Sequence, residues 1–90
     1  MKFMLTFRLL PEKRDQAISR FIKTGGQPPR GVKLVGRWTS ADTSEGFDLV
    51  ETDDPKALTE FALQWSDLLS LNVVPVVDDA ELSEVLQRRG

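Results

Sequence analysis

The chain has 90 residues and a formal net charge of −2, with 40% hydrophobic and 29% charged residues. This length and composition predict one globular domain with a single small core. The absence of cysteine and histidine excludes disulfides, thiolate nucleophiles, cysteine-ligated metals and histidine general bases.

The apolar N-terminal stretch is interrupted by Arg8 and is followed by the charged residues 12–14. This pattern predicts neither a signal peptide nor a membrane span. We therefore expect a cytoplasmic protein without a membrane partner, a metal or a cofactor.

The first half of the chain predicts a strand, a helix and a second strand. Residues 2–9 alternate between two faces, and one face carries Phe3, Leu5, Phe7 and Leu9. Pro11 suits the first turn of a helix, and Gly25-Gly26 suits its end. The apolar stripe of this helix is Ala17, Ile18, Phe21 and Ile22. Residues 32–38 then form the second strand.

The second half repeats this order after a hairpin turn at residues 41–44. Residues 46–51 read as the third strand. Asp54 and Pro55 predict the cap and first turn of a second helix, whose apolar stripe extends to Leu68 and Leu69. Residues 71–77 read as the fourth strand, in which Pro75 favours an edge position or a bulge. Asp78 or Asp79 can cap a short terminal helix.

The order βαββαβ predicts an α+β, ferredoxin-like domain over residues 1–77, followed by a short C-terminal helix or tail over residues 78–90. Its four-stranded antiparallel sheet has the order 4-1-3-2, with both helices on one face. The other face carries Met4, Val74 and Val76, so we expect two sheets to pack together in a homodimer. The alternative is a monomer whose terminal helix covers that face.

Nine of the twelve Lys and Arg residues lie within residues 1–37, and twelve of the fourteen Asp and Glu residues lie within residues 38–90. We expect these halves to neutralise each other within the fold or across the dimer. The basic residues form no tail, and the sequence pI is about 5.0. The first- and third-strand aromatics, Phe3, Phe7 and Phe47, are expected to face the helices and not to stack on bases. No nucleic-acid partner is therefore expected.

Four segments carry a family resemblance: KFMLTFRLLPEKRDQAISRF, TGGQPPRGVKLVGRW, FDLVETDDPKAL and WSDLLSLNVVPV. Together they resemble a family of small uncharacterised bacterial and archaeal proteins in the dimeric α+β barrel superfamily. The resemblance implies a ferredoxin-like protomer that dimerises through its sheet. It implies no catalytic residue, because the motifs of the superfamily's enzymes do not map onto this chain.

The predicted topology brings several polar side chains to one edge of the sheet. Arg8 and Arg37 end the first two strands, whereas Asp48 and Asn72 lie near the start of the last two. A hairpin register that pairs Trp38 with Phe47 sets Arg37 opposite Asp48. With Thr6, and with Trp38 as a possible wall, these residues form a candidate ligand site on the dimer side of the sheet. The alternative is an Arg-Asp-Arg network that holds the dimer together without a ligand.

Three functions remain open from the sequence. The first is a dimer that binds a small apolar or anionic molecule in its cavity. The second is a cofactor-independent enzyme of the monooxygenase or isomerase type, in which Arg8 and Arg37 stabilise an oxyanion. The third is a structural or regulatory dimer without a ligand. The catalytic residues, if any, are not readable from the sequence.

Overall fold

The structure is a computed structural model that describes residues 1–89. It contains four strands and three helices in these residues. They are β1 (Lys2–Leu9), α1 (Arg14–Thr24), β2 (Lys33–Thr39), β3 (Glu45–Glu51), α2 (Pro55–Trp65), β4 (Leu69–Val76) and α3 (Asp79–Arg89).

The strands form one antiparallel sheet in the order β2-β3-β1-β4. This is the predicted order read from the opposite edge, so the α+β ferredoxin-like fold is confirmed. Pro75 lies in β4, which is an edge strand as its proline indicated. At the other edge, the register of β2 shifts between Leu34 and Gly36, so that Val35 forms a bulge.

The two ends of α1 differ in how well the sequence predicted them. The helix ends as expected at Gly25, which adopts φ 69° and donates its N–H to the carbonyl of Phe21 at 2.7 Å. It does not begin at Pro11, as predicted, but at Arg14. The intervening residues form a tight turn, closed by a hydrogen bond from the N–H of Lys13 to the carbonyl of Leu10, with Glu12 at φ 68°.

For α2, the predicted start is confirmed and the predicted end is wrong. The Asp54 side chain accepts a hydrogen bond from the N–H of Lys56 at 3.0 Å, as an N-cap should. The helix ends at Trp65, so Leu68 and Leu69 do not continue its stripe. Leu69 instead begins β4 opposite Leu9 on β1, and Leu68 and Leu69 are both buried in a small core with Ala17 of α1.

The helices α1 and α2 lie on one face of the sheet, which we call the helix face. Leu5 of β1 and Val50 of β3 pack there against Leu58 and Phe61 of α2. A second small core joins Ala17 of α1 to Leu68 and to Leu69, the first residue of β4. We call the opposite face of the sheet the open face.

The C-terminal helix α3 begins with a capping box. Asp78 accepts a hydrogen bond from the N–H of Glu81 at 2.8 Å, and Glu81 accepts one from the N–H of Asp78 at 3.0 Å. The ammonium group of Lys2 bonds to both carboxylates and so holds this first turn beside β1. Leu82, Val85 and Leu86 along α3 stay exposed. The final residue of the predicted tail, Gly90, lies outside the described residues.

None of the helices within residues 1–89 has the length and apolar composition needed to cross a membrane.

Candidate functional site

A cleft of about 330 Å³ lies on the helix face, between the sheet and the two helices α1 and α2. Its walls are mainly apolar. They comprise Leu5, Phe7 and Leu9 of β1, Ala17, Ile18 and Phe21 of α1, Phe61 and Trp65 of α2, and Leu69 and Leu71 of β4. This volume lies at the lower end of the roughly 300–1,000 Å³ found for small-molecule sites.

The cleft exists because α1 packs loosely against the sheet. Ala17 is the only buried residue of this helix, and Ile18 and Phe21 on its apolar stripe remain 38% and 46% exposed. Apolar side chains on a helix stripe normally fill the space above a sheet. Here they line a space that the chain itself does not fill.

Arginine side chains attach α1 to the rest of the domain at three places, although the helix packs loosely against the sheet. At its start, Arg14 donates a hydrogen bond to the hydroxyl of Thr43 at 2.6 Å. On its outer side, Arg20 makes two parallel bonds of 2.8 Å to Asp67, which hold the pKa of that carboxyl below its usual value. Arg20 also lies 5.4 Å from the ring centre of Trp65, a wall residue of the cleft.

The third attachment is at the end of α1, and we call it the clamp. It consists of Arg37, Asp48 and the carbonyl groups of Gly25 and Gly26. Arg37 donates to the Asp48 carboxylate from Nε at 2.7 Å and from Nη2 at 3.0 Å. It also donates to the carbonyls of Gly25 at 3.1 Å and Gly26 at 2.7 Å, and its guanidinium lies 5.5 Å from the ring centre of Phe21.

The ion pair of the clamp is largely buried, and its geometry favours glycine at position 26. The side chains of Arg37 and Asp48 are 17% and 5% exposed. A Cβ atom at position 26 would lie 2.5 Å from Nη1 of Arg37, and the φ of Gly26 is +63°. Only a residue without a side chain allows the guanidinium to approach the backbone this closely.

The polar lining of the cleft lies on its β2–β3 side. It consists of Arg37 and Thr39 of β2, Asp48 of β3, Gly26, and Thr43 of the hairpin loop. The β1–β4 side contributes only apolar residues. The cleft therefore has one polar end and a long apolar body.

The structure separates the residues of the predicted ligand site. Asp48 pairs with Leu5 on β1 and with Arg37 on β2, and directly paired residues of an antiparallel sheet share a face. The predicted pairing of Arg37 with Asp48 is therefore confirmed, but their expected position on the open face is wrong. Both lie on the helix face, as does Val50.

The remaining predicted residues lie on the open face. Thr6 pairs with Asn72 on β4, and Arg8 bonds to Glu45 at 2.8 Å with its own side chain 65% exposed. Trp38 lies across Gly36, where an added Cβ would meet its ring at 2.6 Å. With Arg8 and Arg37 on opposite faces, the predicted two-arginine site for an oxyanion does not form.

Sequence reasoning missed the cleft residues of α1 and β4, namely Ile18, Phe21 and Leu71. The helical period places Ile18 and Phe21 on the apolar stripe of α1, but it does not indicate how much of that stripe the sheet buries. Trp65 packs against both cores and also lines the cleft. The close pairing of two glycines with Arg37 carries no local sequence signal.

The described residues include no group of three or more Asp and Glu side chains that could hold a metal ion. The cleft offers hydroxyl and guanidinium groups and one carboxylate, which Arg37 already neutralises. Its chemistry is that of an apolar container with a polar end.

A family model described as "Domain of unknown function (DUF3303)" matches residues 1–90 of the chain. The chain belongs to this family. No curated protein and no solved structure matches it. This match agrees with the resemblance to an uncharacterised family that the sequence indicated. Membership of the dimeric α+β barrel superfamily stays a prediction.

Proposed function

We propose that this member of the DUF3303 family binds a small, largely apolar molecule in the cleft between the sheet and α1. The observation that carries the proposal is the position of α1. Its apolar stripe lines a space of about 330 Å³ instead of filling it, while arginine contacts fix both ends of the helix. A preformed apolar space with a few polar groups is the usual form of a small-molecule site.

The homodimer expected from the sequence is part of the same proposal. Trp38, Phe47 and Val74 on the open face are 57%, 36% and 46% exposed. Strands of seven or eight residues make this face about 26 Å by 19 Å. This corresponds to a projected area of about 490 Å². Side chains that stand up from the sheet add accessible area toward the roughly 800 Å² that one partner of a standard interface buries. A twofold contact between two open faces would leave both clefts accessible.

The two tryptophans allow a direct test of ligand binding. The chain has no tyrosine, Trp65 lines the cleft, and Trp38 lies on the open face. Trp38→Phe therefore leaves a single fluorophore in the cleft, and Trp65→Phe leaves one away from it. We would titrate both variants with decan-1-ol, decanoate, 1-naphthol and 1-naphthoate, which vary the shape and the charge of the probe. Saturable change in the emission of the Trp38→Phe variant alone is the expected result.

A matched pair of variants on α1 locates the binding. Ile18 lines the cleft, whereas Ile22 lies one turn further on, is 76% exposed and does not line it. Ile18→Gln is expected to weaken binding about five- to tenfold by removing an apolar contact, and Ile22→Gln is expected to leave it unchanged. Equal effects of the two substitutions, or no saturable binding of any probe, would contradict the proposal.

The dimer is tested separately by sedimentation velocity over a dilution series. Phe47→Lys places a charge in the centre of the open face and is expected to give a monomer. Leu63→Lys on α2, which replaces a residue 68% exposed outside that face, is the control and should leave the dimer intact. A wild-type chain that is monomeric at every concentration would refute this part of the proposal.

A further inference from the structure

The clamp places the ion pair of Arg37 and Asp48 in the wall of the cleft, and the two charges cancel. Two parallel hydrogen bonds join the guanidinium of Arg37 to both oxygens of Asp48, which is the strongest geometry for such a pair. The carbonyls of Gly25 and Gly26 accept hydrogen bonds from two further N–H groups of the same guanidinium. These four bonds leave one of its five N–H groups, on Nη1, for another acceptor.

The polar end of the cleft thus offers hydrogen bonds but no net charge. Besides the remaining N–H of Arg37, it contains the hydroxyl of Thr39, which makes no hydrogen bond within residues 1–89 and can both donate and accept. The Thr43 hydroxyl is engaged, because it accepts from Arg14 and donates to the carbonyl of Asp42.

An anionic ligand would therefore meet an unfavourable environment. Its charged group would lie beside Arg37, the cation that lines the cleft, and Arg37 is already held by the Asp48 side chain, which is 5% exposed. Arg14 bonds to Thr43 from outside the lining and is exposed, so water screens its charge. Burying an ion without a counter-ion costs far more than burying a hydroxyl group that keeps its hydrogen bonds. The free N–H on Nη1 offers an anion one hydrogen bond, but a paired, two-bond contact with Arg37 would require displacing Asp48, which would leave that carboxylate buried and unpaired.

We infer that the cleft selects uncharged amphiphiles, that is, molecules with an apolar body and one neutral hydrogen-bonding end, and that Asp48 enforces this selection by neutralising Arg37. This inference rests on the proposed function and names the class of ligand for the same cleft. It replaces the anionic ligand that the sequence left open. Asp48 acts here through Arg37, as a specificity-determining residue.

The test compares decan-1-ol with decanoate, which share their apolar chain, on the Trp38→Phe background at pH 7. The alcohol is expected to bind at least about tenfold more tightly. Because any apolar site favours an alcohol over a carboxylate, the decisive measurement is made in Asp48→Asn. This substitution keeps the shape of the side chain and frees the charge of Arg37. It is expected to raise the affinity for decanoate at least about tenfold while changing that for decan-1-ol less than about threefold.

Glu45→Gln is the matched control. It also separates an arginine from its carboxylate, but in the Arg8–Glu45 pair on the open face. It is expected to change neither affinity. If Asp48→Asn does not fold, Asp48→Ser takes its place, because it also removes the carboxylate and keeps Arg37. An unchanged affinity for decanoate in folded Asp48→Ser would overturn the inference.

Two further outcomes would overturn the inference while the proposed function stands. One is decanoate binding to the wild-type cleft as tightly as decan-1-ol, and the other is an unchanged affinity for decanoate in folded Asp48→Asn. If neither probe binds, the cleft is not a ligand site and the proposed function fails together with the inference.

Discussion

Replacing Arg37 by methionine should cost a large part of the stability of this domain. The substitution leaves the Asp48 carboxylate, 5% exposed, without its cation. Removing one partner of a buried ion pair costs about 3–5 kcal/mol. Because Arg37 itself is 17% exposed, water reaches part of the vacated site, and we expect the lower end of this range, about 3 kcal/mol. The whole free energy of unfolding of a domain of this size is about 5–13 kcal/mol.

The assay is urea unfolding followed by tryptophan emission, applied to a double-mutant cycle. Arg37→Met, Asp48→Leu and the double variant give the coupling energy of the pair, which we expect to be about 2–3 kcal/mol. The double variant should recover most of the loss, since it leaves no unpaired charge. The same cycle on Arg8 and Glu45 is the control.

The control pair has a similar bond length, 2.8 Å, but its side chains are 65% and 38% exposed. Solvent screening should reduce its coupling energy to below about 1 kcal/mol. If the two cycles gave equal coupling energies, burial would not be what strengthens the clamp, and the reasoning would be refuted.

Three smaller perturbations test other parts of the structure. Gly26→Ala should destabilise the protein more than Gly25→Ala in the same urea assay. Both glycines have positive φ, but only a Cβ at position 26 collides with the guanidinium of the clamp. Asp54→Ala should cost about 1 kcal/mol by removing the cap of α2, measured by the same unfolding. Hydrogen bonds from the backbone N–H and the hydroxyl of Ser44 lower the pKa of Asp42 from 3.8 to about 2, so its contribution to stability is complete above pH 4 and is lost as pH falls through 2. A carbon-detected NMR titration should find that pKa, and Ser44→Ala should raise it.

The order of the strands and helices could be predicted because each element has its own local signal. Alternation in β1, the αL glycine after α1 and the Asp54-Pro55 start of α2 depend only on neighbouring residues. Where two patterns overlapped, the local signal failed. Leu68 and Leu69 fit the helical period of α2, yet tertiary packing placed Leu69 in β4.

The candidate site could not be predicted, because the orientation of β3 was assigned from hydrophobicity alone. Phe47 was expected to face the helices, which turned Asp48 toward the open face. The structure has the reverse arrangement, in which Asp48 is buried and Phe47 is exposed. A carboxylate enters the interior here only because Arg37 on the neighbouring strand accompanies it. That pairing depends on tertiary structure and leaves no trace in the alternation of β3.

The two edge strands bear on how this protein avoids uncontrolled association. β2 carries the Val35 bulge and β4 carries Pro75, which has no N–H to offer to another strand. Both features obstruct the continuous hydrogen bonding by which exposed sheets add further strands and grow into fibrils. The chain can therefore keep apolar side chains on its open face while its sheet edges resist extension. The proposed contact between two open faces would close after one partner, whereas contact between edges would propagate.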